Sequence, residues 1–282
     1  MKNSRIKNRD CATSVDGHKG ATNISNHFKA QYEDLYNQQN SRDGMEEILD
    51  TMNNSIEDED ARVVNNITAD LVKEIIKNKI KPNKADAFED YNSDCLRNGP
   101  DMMYQVIALL FKGLAIHGFM PALLLFCAII PLVKDPSGSL DSSANYRGIA
   151  ISSLFLKIWD WIVIMLYGEA LSSDELQFGF QKFSSTSLCT WSVVEMINYY
   201  KRGGSEVYSC LLDCKKLFDT VEHAKIFRKL RDKIPVIFVR ILLVTYLGQK
   251  CFVRWNSKDS SLFSVQNGGG CAVSNLVISL CQ

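Results

Sequence analysis

The chain has 282 residues, 46% of them hydrophobic, and its 32 Lys+Arg are balanced by 32 Asp+Glu. This is enough for one large domain or two small ones with a sizeable core. Zero net charge removes the basic excess usual in nucleic-acid binders, so any such footprint must be local, and it counts against a complete working polymerase. Nine cysteines, odd in number and scattered, form no CxxC and no Cys/His group with zinc-finger spacing. They read as reduced thiols of a cytoplasmic or nuclear protein. The opening MKNSRIKNRD has no apolar h-region, which argues against a signal peptide and secretion.

Residues 1–62 are polar and read as an N-terminal linker segment with one or two docking helices. Ile24, Phe28, Tyr32 and Leu35 give an amphipathic helix to Tyr36, with Asn23 or Ser25 as cap. Residues 63–282 form the second unit. Thr68 caps a helix to Ile80 that carries Leu71, Val72, Ile75 and Ile76 on one face. A second helix runs over Gly99–Gly118. Gly113–Val133 has no Lys, Arg, Asp or Glu and is long enough for a bilayer. His117, Gly118, Pro121 and Pro131 divide it, so it reads as a helix end, a turn and a buried strand. That strand covers Leu123–Asp135 and turns at Pro131. Helices follow at Asp160–Tyr167, Ser187–Lys201, Ala224–Leu230 and Pro235–Tyr246, and a strand at Gln249–Trp255.

The stretch Glu206–His223, EVYSCLLDCKKLFDTVEH, carries the chemistry. Val207–Leu212 reads as a short strand buried on both faces, closed by Asp213. Asp219 is an N-cap candidate with Glu222 as its capping-box partner. A carboxylate at a strand end is a hard oxygen ligand suited to Mg²⁺, which phosphoryl and nucleotidyl transfer use to hold oxygens in line. The plainer reading is a turn residue and a helix cap.

LLDCKKLFDTVEH resembles the first palm motif of reverse transcriptases from non-LTR (LINE-type) retrotransposons. Three further motifs in the same order resemble that family: IIPLVKD (129–135), NYRGIAISS (145–153) and QFGF (177–180) with Ser185-Thr186. The resemblance implies an α+β right-hand polymerase fold with fingers and partial palm in 63–282. It implies RNA template, DNA primer and dNTPs as partners, Mg²⁺ as cofactor and no membrane. By it, Asp213 is the catalytic metal ligand and Phe218 the steric gate at the nucleotide. Arg147 and Lys134 face nucleotide or template, and Gln177, Gly179 and Lys182 line the template. Asp16-Gly17-His18 and Leu35-Tyr36-Asn37 echo the family's segment ahead of the polymerase.

The sequence also departs from the pattern. NKADAFED stands where the family has a glycine-rich loop. After Asn267-Gly268 the chain reads GGCAVSNLVISLCQ, without the family's Gln-Gly and Ser-Pro. No counterpart of the YADD strand or of the thumb follows. The expectation is therefore a family member by descent without catalytic power as this single chain. The alternative is a non-catalytic RNA- or DNA-binding remnant lined by Lys134, Arg147, Lys182 and Arg202.

Overall fold

The computed structural model describes residues 12–38, 42–56, 62–88, 91–171, 176–179, 184–212 and 221–268. It is a mixed α+β fold. A hairpin, β1 (Ser14–Val15) and β2 (His18–Lys19), turns at Asp16-Gly17, both at positive φ, 47° and 80°. Asp-Gly is the pairing such a two-residue turn favours. Helix α1 (Ala21–Tyr36) follows, starting three residues earlier than its periodicity predicts and without a side-chain cap. Next come α2 (Arg42–Ser55) and α3 (Ala69–Glu74), the latter capped by Thr68 as predicted and continued by a π-helical turn over Ile75–Lys79. Short α4 (Ser93–Arg97) leads into α5 (Asp101–His117), which ends on left-handed Gly118.

β3 (Phe126–Val133) and β4 (Tyr146–Ser152) are antiparallel neighbours. Pro131 does not turn the strand, as the sequence suggested; it lies within it, opposite Gly148. α6 (Leu154–Tyr167) and α7 (Thr186–Arg202) follow. α8 (His223–Arg231) and α9 (Val236–Gly248) lead to β5 (Lys250–Trp255), β6 (Lys258–Asp259) and β7 (Phe263–Ser264). In the sheet, β3 lies between antiparallel β4 and parallel β5, and β6 and β7 share the far edge of β5.

Two cores result. One face of the sheet, with Cys127, Ile129, Tyr146, Cys251, Val253 and Trp255, is covered by Ile24, Phe28, Tyr32 and Tyr36 of α1. The Phe28 ring meets Tyr146 and Trp255 at 5.2 and 5.3 Å between centroids. The second core is helical and combines α2, α3, α5, α6, α8 and α9. Met45, Ile48 and Met52 of α2 lie in it, so both N-terminal helices are built into the molecule. Arg240 of α9 reaches the end of α5 and donates to the carbonyls of Ala115 (2.6 Å) and Ile116 (2.8 Å), in the last turn, where helix carbonyls run out of intrahelical donors.

Cys95, Cys189, Cys210 and Cys251 are free thiols. No helix among the described residues is long and apolar enough to cross a membrane.

Candidate nucleic-acid interface

The NYRGI stretch divides its tasks residue by residue. Asn145 braces the loop between β3 and β4. Its amide donates to the carbonyls of Asp135 (2.8 Å) and Ser139 (3.2 Å), and its carbonyl accepts from the Asp135 N–H (3.0 Å). Tyr146 turns into the core below α1, and its hydroxyl donates to the Leu140 carbonyl at 2.8 Å. Gly148 leaves room for α1. A Cβ there would stand 2.9 Å from the Ile129 side chain and 3.0 Å from the Tyr32 ring, closer than real contacts allow. Arg147 alternates away from these two and is exposed to solvent.

Side chains two apart share a sheet face. Arg147 is opposite Leu132, and Lys134 continues the ladder, its N–H donating to the Asn145 carbonyl at 2.8 Å. Both basic residues therefore belong to the face turned away from α1, along with Ile130, Ile149, Phe252 and Arg254. The end of this face nearest the start of β3 is closed by Phe88, which packs on Phe126 (5.4 Å) and Phe252 (5.9 Å). The other end is open, with Leu132 51% and Ile149 42% exposed. Arg254 lies over the Phe252 ring and makes a two-pronged ion pair with Asp259 at 2.8 and 3.1 Å. The Lys134 ammonium donates to the Ala144 carbonyl at 2.8 Å. Among the described residues no carboxylate pairs with Lys134 or Arg147. A guanidinium held on a sheet strand and exposed to solvent is a ready two-pronged donor for a phosphate.

Residues that sequence reasoning took for weak echoes hold this face from behind. The Asp16 carboxylate accepts from the Ser143 N–H (3.2 Å) and lies 2.8 Å from His27 Nε2. The Ser143 hydrogen bond, then His27, draws the carboxyl down to about 2. Gln31 donates to the Ser143 hydroxyl at 2.8 Å, and the Asp16 N–H donates to the Asp141 carbonyl at 2.8 Å. The loop behind Arg147 is thus clasped to the N-terminal hairpin. At the other end of α1, the Tyr36 carbonyl accepts from the N–H groups of Gln266 (3.1 Å) and Asn267 (2.9 Å). Asn37 donates to the Ser264 carbonyl at 3.0 Å.

Asp86, within the NKADAFED stretch, was missed as a structural residue. It is buried and accepts from the Leu154 N–H at 2.7 Å, adding to the Ser153 cap of α6. Burial raises Asp160, on the same helix, well above the usual carboxylate range, with Lys157 opposing. No local signal marks Asp86, since the junction it caps lies 68 residues further along the chain.

The predicted catalytic strand is not found. Residues 205–212 are in no strand, and Tyr208, Leu211 and Leu212 are 87%, 98% and 90% exposed. Both edges of β3 and the far edge of β5 are occupied by β4, β5, β6 and β7, so this run has no edge of either central strand to pair with. Asp213, Phe218 and Lys182 lie outside the described residues, as does Asp219. Glu222 is not the third residue of a helix capped by Asp219. It is itself the N-cap of α8, in extended backbone and bridged to Asn267. Gln177 and Gly179 are joined locally, the Gln177 amide donating to the Gly179 carbonyl at 3.3 Å. Among the described residues no group of three or more His, Cys, Asp or Glu could hold a metal ion.

His223 is a further residue the sequence did not single out. It is buried, its Nε2 donates to the Gly268 carbonyl at 2.6 Å, and Tyr246 meets it edge-on at 4.7 Å. Gly268 in turn donates its N–H to the Val221 carbonyl at 2.8 Å. Burial lowers the imidazole to about 4, the Gly268 contact opposing.

Comparison with known proteins agrees in kind with these motifs. No family model matches the chain. It is similar to a retrovirus-related Pol polyprotein from the type-1 retrotransposable element R2 of Nasonia vitripennis. The two are 28% identical over 186 residues, 62% of this chain and 18% of that polyprotein. The chain thus matches under a fifth of the length of that relative.

Proposed function

We propose that this protein is of retrotransposon origin and forms part of a reverse-transcriptase domain, fingers with partial palm, which contacts an RNA template, DNA primer and dNTPs. The observation that carries the proposal is Arg147, which projects from the open sheet face beside Lys134 without a carboxylate partner among the described residues. The ordered motifs and the likeness to the R2 polyprotein support it. In this reading Arg147 and Lys134 hold phosphates, and the exposed Ile149 and Leu132 give the bases or sugars an apolar floor. Asp213 is the Mg²⁺ ligand and Phe218 the gate at the sugar, while Gln177, Gly179 and Lys182 line the template.

Fluorescence anisotropy with a poly(rA)/oligo(dT) heteroduplex over a range of salt tests it. Log affinity should fall linearly with log salt, and the slope should flatten by about 0.9 for each phosphate contact removed. Arg147→Ala should flatten it in this way and weaken binding across sequences. Binding that is absent, or unchanged in Arg147→Ala with Lys134→Ala, overturns the proposal. Primer extension on the same duplex with Mg²⁺ then separates a polymerase from the binding-only alternative.

A further inference from the structure

The loop between β3 and β4 ends in a single turn of 3-10 helix, Ser143–Asn145, and the N-terminal segment grips that turn from outside both cores. The Asp16 carboxylate accepts from the Ser143 N–H at 3.2 Å, and the Asp16 N–H donates to the Asp141 carbonyl at 2.8 Å. The Gln31 amide donates to the Ser143 hydroxyl at 2.8 Å. His27 Nε2 lies 2.8 Å from the same carboxylate, and the His18 ring stacks on His27 at 4.2 Å between centroids. The turn passes this hold on. Its Ala144 carbonyl accepts from the Lys134 ammonium at 2.8 Å, and its Asn145 carbonyl accepts from the Lys134 N–H at 2.8 Å. Lys134 is thus held at both ends by a turn that Asp16 holds in place.

We propose that Asp16 is a positioning residue for the nucleic-acid face. Through Ser143 it fixes the turn that presents the Lys134 ammonium, beside Arg147, to a phosphate. This rests on the phosphate-binding reading of Lys134 and Arg147. A lysine carries its charge on a flexible stem, and ordering such a stem during binding costs affinity. Here the ordering is done beforehand. An ammonium donates three hydrogen bonds, so the one given to Ala144 leaves donors over for a phosphate. Supporting hydrogen bonds of this kind keep a binding geometry from loosening. The charge of Asp16 works in the opposite sense, since a carboxylate near a polyanion repels it. Grip and charge therefore predict effects of opposite sign when Asp16 is changed.

Fluorescence anisotropy of the full chain with the poly(rA)/oligo(dT) heteroduplex over a range of salt tests this, beside hydrogen–deuterium exchange of the free protein. Asp16→Ala should weaken binding roughly two- to tenfold, the cost of ordering one long side chain on binding. Its salt slope should match the wild type, because Lys134 keeps its charge, whereas Lys134→Ala should flatten the slope by about 0.9. Asp16→Asn removes the same charge but keeps an oxygen for the Ser143 N–H and tolerates the left-handed backbone at φ 47°. It should bind at least as tightly as the wild type. In a Lys134→Ala background, Asp16→Ala should cause no further loss. Gln31→Leu, which leaves the hairpin turn untouched, should weaken binding in the same direction by less. In the free protein Asp16→Ala should speed amide exchange at Lys134 and Asn145 while residues 127–130 keep their protection. Lys134→Ala that binds like the wild type overturns the phosphate reading, and this proposal with it. Where Lys134→Ala does weaken binding, three results overturn the positioning role alone and leave Asp16 a brace of the fold. They are unchanged binding or exchange in Asp16→Ala, an equal loss in Asp16→Asn, and an undiminished loss from Asp16→Ala in the Lys134→Ala background.

Discussion

Two apolar runs of similar composition meet opposite fates in this chain. Phe126–Val133 becomes the central strand, with Cys127, Ala128 and Ile129 buried. Val207–Leu212 stays out of any sheet, with Leu211 almost wholly in water. The first is paired on both edges, by β4 and β5, and covered by α1. The second has neither neighbour nor cover among the described residues. Apolar composition makes a strand possible; free edges to pair with and a layer to pack against make it real.

The largest test of this contrast is truncation. Ile129→Ala should cost roughly 2–5 kcal/mol, because the lost contacts leave a cavity beneath α1. Leu211→Ala should stay within about 0.5 kcal/mol, as for other surface changes. Urea denaturation of the two variants checks both, and a comparable loss at Leu211 would break the comparison.

Acid sharpens it at the downstream end of the exposed run, where residues 221–223 are tied to 267–268. His223 lies at about 4 in the folded chain, and an imidazole in the unfolded chain near 6.5. The unfolded state therefore binds the extra proton first, and stability falls as pH drops from about 6.5 to about 4. The loss is at most about 3 kcal/mol. In His223→Leu that slope should disappear from stability curves measured across this range.

A smaller effect is expected where α1 closes on the central strand. Gly148→Ala pushes a methyl group against Ile129 and Tyr32 and should cost about 1–3 kcal/mol by overpacking. Thermal unfolding reads it, and pairing it with Tyr32→Ala should recover part of the loss. The smallest effect on stability belongs to Arg147→Ala, which should lie within about 0.5 kcal/mol by urea denaturation while weakening heteroduplex binding.

Much of the fold was legible locally. Thr68 caps its helix, and the helices around Ile107 and Leu242 fall where periodicity and apolar content place them, while the helix predicted over Asp160–Tyr167 begins six residues earlier, at Leu154. The strand at Lys250–Trp255 follows its alternation. Of the candidate site, the motif order came from the sequence, whereas the strand Tyr146–Ser152 that turns Arg147 outward was not among the predicted elements. What was not legible depends on groups far apart in the chain. The clasp from Asp16 to Ser143, the cap from Asp86 to Leu154 and the tie from His223 to Gly268 leave no periodic trace.

By itself, then, the sequence determined which segments can be helix or strand, and the ordered motifs that point to a polymerase-like ancestry. Backbone propensity, capping and alternation act over a few residues and are written there. Only the tertiary structure decided which apolar run enters the sheet, and that Gly148 is small because Tyr32 needs its space. It also decided that the N-terminal helices belong to the two cores. Edges, cavities and layers are properties of residues brought together from distant parts of the chain.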